Sequence, residues 1–260
     1  MVSSNKMNEN TGLNHESIFN YDNNFNITQI CSESGGYIAA NKNLYSNISN
    51  TPTTKLILKE AIKGTSIVKL GSGDLKLMII AGMHGDELPS QIAALMLINK
   101  LRKCSLNGTI YVIPFAAPEA SMYNRREYRG KDLNRNSMND GTIGRIIIDK
   151  IKDLEVSAVA DFHSTAPNAN PGKEGVFCSI NPSPKSYDIA SFITNDNKSS
   201  ILNYTNAGES FKGALEDECN LNGIPAVTCE VLSPIGVADL KSSERSLTQM
   251  FSFLKYFKIL

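Results

Sequence analysis

Four short, predominantly apolar runs punctuate the chain: Lys76 to Ala81, Thr109 to Phe115, Val156 to Phe162 and Ile224 to Val231. Runs of this length read as strands covered on both faces. The segments between them supply the covers. Leu88 to Leu101 carries Ile92, Leu95, Met96, Ile98 and Leu101 at helical spacing, with Pro89 in its first turn and Lys100, Arg102 and Lys103 near its end. Ile143 to Leu154, Tyr187 to Asn195 and Ala207 to Asn220 read as further helices. Ser242 to Phe257 places Leu247, Met250, Phe251, Leu254 and Phe257 on one face. This alternation predicts an α/β fold, a mixed, largely parallel central sheet with helices on both faces. Shorter strands are expected at Lys55 to Glu60, Ser66 to Leu70 and Val176 to Ile180, with a turn at Gly71-Ser72-Gly73-Asp74.

At 260 residues and 41% hydrophobic content, one globular domain over 51–260 is expected. Residues 1–50 read as an Asn/Ser-rich N-terminal extension, partly disordered or docked. Met1 to Glu16 has too little apolar area to offset the entropy of ordering. Ile18, Phe19, Tyr21, Phe25, Ile27 and Ile30 give the following stretch something to dock with. Lys+Arg and Asp+Glu are both 26, so no global field draws nucleic acid or an anionic membrane as partner. The five cysteines are scattered and lack CxxC spacing, which fits neither a disulfide framework nor a thiolate metal site. The polar N-terminus has no signal-peptide core, and no run approaches the ~20 apolar residues of a membrane span. A soluble cytoplasmic protein is expected.

In parallel sheets, ligands bind beyond the carboxyl ends of the strands. Two of the chain's three histidines, His84 and His163, follow apolar runs and fall there. Glu87 shares a Gly-rich turn with His84. The three make a two-histidine, one-carboxylate set, a known catalytic zinc arrangement that leaves a position for water. Neither His-Glu-x-x-His nor His-x-x-Glu-His occurs, so a close pair with a distant third ligand is the remaining form. Glu230 is the only acidic residue from Ile224 to Leu232, and the costly one to bury unpaired. Glu119 to Gly141 reads as a long polar and basic loop, a common setting for function.

Joined in order, Gly82-Met83-His84-Gly85-Asp86-Glu87, Asp132-Leu133-Asn134-Arg135-Asn136, Asp161-Phe162-His163-Ser164 and Thr228-Cys229-Glu230 resemble the zinc metallocarboxypeptidase superfamily. That superfamily includes succinylglutamate desuccinylase and aspartoacylase. The resemblance spans roughly Lys76 to Val231 and implies the zinc carboxypeptidase-like, phosphorylase/hydrolase-like fold. The short interval from Glu87 to His163 is similar to the compact deacylase or murein-peptide amidase branches, and Thr-x-Glu to the carboxypeptidases, so the branch stays open.

The resemblance implies that His84, Glu87 and His163 hold one zinc ion per chain. Asp132 would fix the ring of His84, and Glu230 would be the general base. It implies a loop arginine at the oxyanion, with Arg125 favoured and Arg126 and Arg129 as competitors, Arg126 also being a candidate for substrate binding. Asn134 and Arg135 would hold a substrate carboxylate, which planar guanidinium donors suit. The implied substrate is a small molecule or short peptide bearing a carboxylate, cleaved by a deacylase or by a metallocarboxypeptidase or amidase. A non-catalytic binding module on the same scaffold is the alternative of a different class. No residue marks a specificity pocket. Glu216, Asp217 and Glu218 read as solvated helix faces rather than an acidic pocket, and nothing distinguishes Tyr204. Leu70-Gly71-Ser72-Gly73 lacks the third glycine and helix start of a nucleotide loop.

Overall fold

The computed structural model describes residues 24–260. The expectation for Met1 to Glu16 therefore lies outside the described residues. The strands are β1 (Phe25–Cys31), β2 (Thr65–Gly71), β3 (Lys76–Ala81), β4 (Thr109–Ile113), β5 (Ala158–Thr165), β6 (Gly175–Asn181), β7 (Ser200–Asn206) and β8 (Ala226–Leu232). The helices are α1 (Lys42–Tyr45), α2 (Pro52–Lys63), α3 (Leu88–Leu101), α4 (Pro118–Met122), α5 (Ile143–Asp153), α6 (Pro184–Asn197), α7 (Leu215–Leu221) and α8 (Leu240–Tyr256).

The strands form one sheet in the order β1-β2-β4-β3-β5-β8-β6-β7. Its centre, β4-β3-β5-β8, is parallel, and the antiparallel pairings lie toward the edges. Alternate residues feed two cores. Leu77, Ile79 and Ala81 pack with residues of α2, α3, α6 and α8 on one face. Met78 and Ile80 pack with residues of α5 and α7 on the other. Both faces are thus covered, as the unbroken apolar runs require.

Four elements differ from the sequence reading. Lys55 to Glu60 is not a strand but the middle of α2. The Thr51 side chain caps that helix by accepting from the Thr54 amide, and Pro52 sits in the first turn. The buried positions Thr54, Ile57 and Ala61 follow helical spacing, whereas the alternation of Leu56 and Leu58 resembles a strand. The segment Ala207 to Asn220 is helical only from Leu215, and β7 before it was not anticipated. Part of the N-terminal segment belongs to the sheet, with β1 pairing antiparallel to β2 and Phe25, Ile38 and Leu44 buried.

β5 is also longer than expected. All eight of its residues are buried, and His163 lies within it rather than beyond it. Its register against β8 sets His163 directly beside Glu230. Among the described residues, no helix is long and apolar enough to cross a membrane.

Candidate active site

β3 ends at Ala81, and the chain must turn at once to enter α3. Gly82 takes φ +75°, a conformation glycine adopts without penalty. At Gly85, a Cβ would lie 2.2 Å from the carbonyl carbon of Ala120, so α4 packs directly on the turn. The buried Gln91 of α3 sets its amide nitrogen 3.2 Å from the Gly85 and Glu87 carbonyl oxygens, bracing the loop from behind. The turn therefore delivers His84 and Glu87 on a fixed backbone.

Glu87 stands between the two imidazoles. Its Oε1 is 2.8 Å from His84 Nδ1 and its Oε2 is 2.7 Å from His163 Nδ1. The Ser164 amide donates to Oε2 at 3.0 Å. The outer ring nitrogens are held by other carboxylates. His84 Nε2 lies 2.9 Å from Asp132 Oδ1, and His163 Nε2 lies 2.8 Å from Asp161 Oδ2. Both inner nitrogens are thus aimed at the same carboxylate by partners behind them.

The residues fit a divalent cation. His84, Glu87 and His163 each offer a ligand atom, all within 4.8 Å of one another, and all three are buried. Two imidazole nitrogens and a carboxylate oxygen, with the far ring nitrogens anchored by carboxylates, are a recurring metal-holding set. The electrostatics agree. Burial alone would raise Glu87, but His84 and His163 outweigh it and hold the carboxyl well below its usual range. Burial would lower the imidazoles, yet Glu87 with Asp132, and Asp161 with Glu87, raise the proton affinities of His84 and His163. The cluster favours positive charge at its centre.

Glu230 alternates with Thr228 on β8 so that both face the cleft, while Cys229 turns into the core. The buried Oε2 of Glu230 has no hydrogen-bond partner. Burial and the charge of Glu87 push its carboxyl up to about 8, against the attraction of the two histidines.

The arginines separate. Arg126 lines the cleft, donating through Nη1 to Glu87 Oε1 at 3.3 Å and through Nη2 to Asp132 Oδ2 at 3.0 Å. Arg125 is not brought there. Its amide closes the end of α4 on the Ala120 carbonyl, and its guanidinium lies 5.0 Å from the Tyr123 ring, in a separate surface hollow. Arg129 pairs with Glu33 at 2.9 Å, in that same hollow. Of the three loop arginines, Arg126 is the one brought to the cleft, and Arg125 and Arg129 lie outside it. Asn134 bridges the site to α7, its Nδ2 3.3 Å from His163 Nε2 and its Oδ1 accepting from the Leu215 amide at 2.9 Å. Arg135 donates to the Asn134 carbonyl at 2.6 Å, with its guanidinium 5.1 Å from the Phe211 ring. Both line the cleft.

Sequence reasoning assigned no role to Asp161, although it lies in the Asp-Phe-His-Ser motif. Its spacing of two from His163 on a strand puts both on one face, which was the available signal. Glu216 and Asp217 are a correction. They are 2% and 0% exposed, not solvated, and Glu216 faces the cleft. The cleft holds ≈ 620 Å³ of empty space, part of it open to solvent.

A strand-end site of this kind, on a mixed sheet with a parallel centre, belongs to the carboxypeptidase-like class of α/β folds, and the solved structures agree. A metallo-carboxypeptidase from Burkholderia cenocepacia matches with a TM-score of 0.56 at 17% identity, over 74% of this chain and 60% of that one. A succinylglutamate desuccinylase/aspartoacylase from Rhodobacter sphaeroides matches with a TM-score of 0.58 at 16% identity, over 77% and 62%. A metallo-carboxypeptidase from Pseudomonas aeruginosa, in complex with (2-guanidinoethylmercapto)succinic acid, matches with a TM-score of 0.57 at 14% identity, over 74% and 60%. The matches to these three structures cover 60 to 62% of their length. No curated protein matches at the sequence level. The profile described as the succinylglutamate desuccinylase/aspartoacylase catalytic domain matches residues 74–256, and the chain belongs to that family.

Proposed function

We propose that the chain is a zinc-dependent amide hydrolase of the deacylase type, acting on a small substrate that carries a carboxylate. The observation that carries this reading is the juxtaposition of a pre-aimed His84–Glu87–His163 set with Glu230 on the adjacent strand. Zinc, when bound, polarises the scissile carbonyl and acidifies a water beside it.

The remaining work falls to the chain. Glu230 takes a proton from the water as its oxygen adds to the carbonyl carbon. It returns that proton to the nitrogen as the C–N bond breaks, leaving a carboxylic acid and an amine. The partnerless Oε2 is free for that exchange. Arg126 is the loop arginine within reach of the metal-holding set, and it steadies the negative charge that develops on the carbonyl oxygen. Arg135 and Asn134 receive the substrate carboxylate, and a guanidinium supplies donors in the geometry a carboxylate accepts. Asp132 and Asp161 keep the imidazoles in one tautomer and one orientation.

A panel of N-acyl amino acids and short peptides, offered to zinc-loaded protein with products followed by mass spectrometry, tests the reading. The expected result is acyl-group release from N-acyl amino acids. Cleavage confined to peptides would replace the deacylase by a carboxypeptidase or amidase, and no cleavage of either would leave only a binding module.

A further inference from the structure

The cleft wall carries a further acid besides the metal-holding set and Glu230. It is Glu216, from α7. The Glu216 carboxyl meets only neutral donors: the Tyr204 hydroxyl from β7, the Asn220 amide at 2.6 Å and the backbone amide of Ser179. Asp217 stands next to it, 2.7 Å from the same hydroxyl and near the backbone amides of Gly208 and Phe211. Among the described residues, neither acid forms an ion pair with a lysine or arginine. Burial raises the Asp217 carboxyl and Arg135 lies near enough to draw it down, but no cation is paired with Glu216, and a buried acid beside a second one is an expensive arrangement. A ligand that brings the cation relieves it.

We propose that Glu216 is the specificity-determining residue of this cleft, and that the substrate carries a cationic amino or guanidino group docking against it. This rests on the reading of the same cleft as an amide-hydrolase site. The walls on the way suit such a group. Phe177 and Phe211 stand edge to face with centroids 5.0 Å apart, and both line the cleft. Apolar walls take the methylene stem of a basic side chain, and aromatic faces attract its charged end. Arg135, set over Phe211, takes the carboxylate. The cleft thus lines one space with a guanidinium, two aromatic rings and the buried Glu216, which complements an amino acid with a basic side chain. A second carboxylate, as in a dicarboxylic amino acid, would bring a further acid against the buried Glu216 and Asp217, which disfavours its charged form. Burial and the charge of Asp217 push Glu216 up to about 8, so its proton is the one an incoming ammonium replaces.

The test is calorimetric titration of the full chain with L-lysine, L-norleucine and L-2-aminoadipate. These share a backbone and differ at the end of the side chain. Lysine is expected to bind at least about tenfold more tightly than either of the others. Glu216→Gln should bring the lysine-to-norleucine ratio close to one. Tyr204→Phe, which leaves both carboxyls in place, should keep the preference for lysine and guards against a variant that merely misfolds. Equal affinities, tightest binding of aminoadipate, no measurable lysine binding, or a preference that survives Glu216→Gln would each overturn the proposal. Hydrolysis of the Nα-acetyl derivatives, followed alongside, keeps the two ideas apart. Selective lysine binding without turnover sinks the hydrolase reading alone, and turnover without a side-chain preference sinks the specificity proposal alone.

Discussion

Glu87 and Glu216 face one cleft, are 4% and 2% exposed, and are driven in opposite directions. Glu87 lies between two imidazoles, which hold its carboxyl well below the usual range. Glu216 lies among a phenol, an amide and a second acid, and it is pushed up to about 8. Burial penalises the charged form of both, so the neighbours decide. At the first pole the chain itself supplies nitrogen donors and a carboxylate for a metal cation. At the second it supplies buried acids, and Glu216 forms no ion pair with a lysine or arginine. On the proposed reading, the difference divides the labour of the cleft between chemistry at His84, Glu87 and His163 and recognition at Glu216.

Replacing the guanidinium at the first pole tests that division with the largest effect. Arg126→Ala is expected to lower kcat/KM by about 10²- to 10³-fold, the usual loss for a preorganised oxyanion donor. Arg125→Ala, whose side chain sits over Tyr123, should leave turnover near the wild-type rate. Steady-state kinetics of the two variants on one substrate decides the matter, and a larger loss from Arg125→Ala would reverse the assignment.

A smaller effect comes from pH in the chelator-treated protein. An acid whose folded pKa is raised keeps its proton in the folded state after losing it in the unfolded one. Stability then falls as pH rises from about 4.5 to about 8. Glu230 adds a slope of the same sign. Glu216→Gln removes only its own share. The Tm of this variant relative to wild type should therefore rise by several degrees between pH 5 and pH 8. Parallel Tm curves would show that Glu216 is not held protonated.

The first pole was legible because its residues come in short, ordered motifs at strand ends, where a period of two or a turn fixes which side chains meet. Among the loop arginines the sequence favours Arg125 with Arg126 and Arg129 as competitors, because spacing alone does not register that α4 ends on Ala120 and turns Arg126, not Arg125, into the cleft. The second pole was hidden for a different reason. α7 is only seven residues long, too short to show an amphipathic stripe, and three consecutive acids look solvated. Its cover comes from β7, a partly exposed strand whose Asn203, Tyr204, Thr205 and Asn206 lack the alternation that marks a strand. Burial of Glu216 is a long-range product of that packing. The sheet was legible through its apolar runs, while α2 was misread because Leu56 and Leu58 alternate beside the helical positions that are buried.

The most direct test of the account measures metal content and turnover together in wild type and Glu230→Gln. The predicted result is close to one equivalent of zinc in both proteins, with turnover lower in the variant by about 10²- to 10⁴-fold. A folded wild-type protein that holds no divalent metal, or a Glu230→Gln variant that turns over at the wild-type rate, would contradict it.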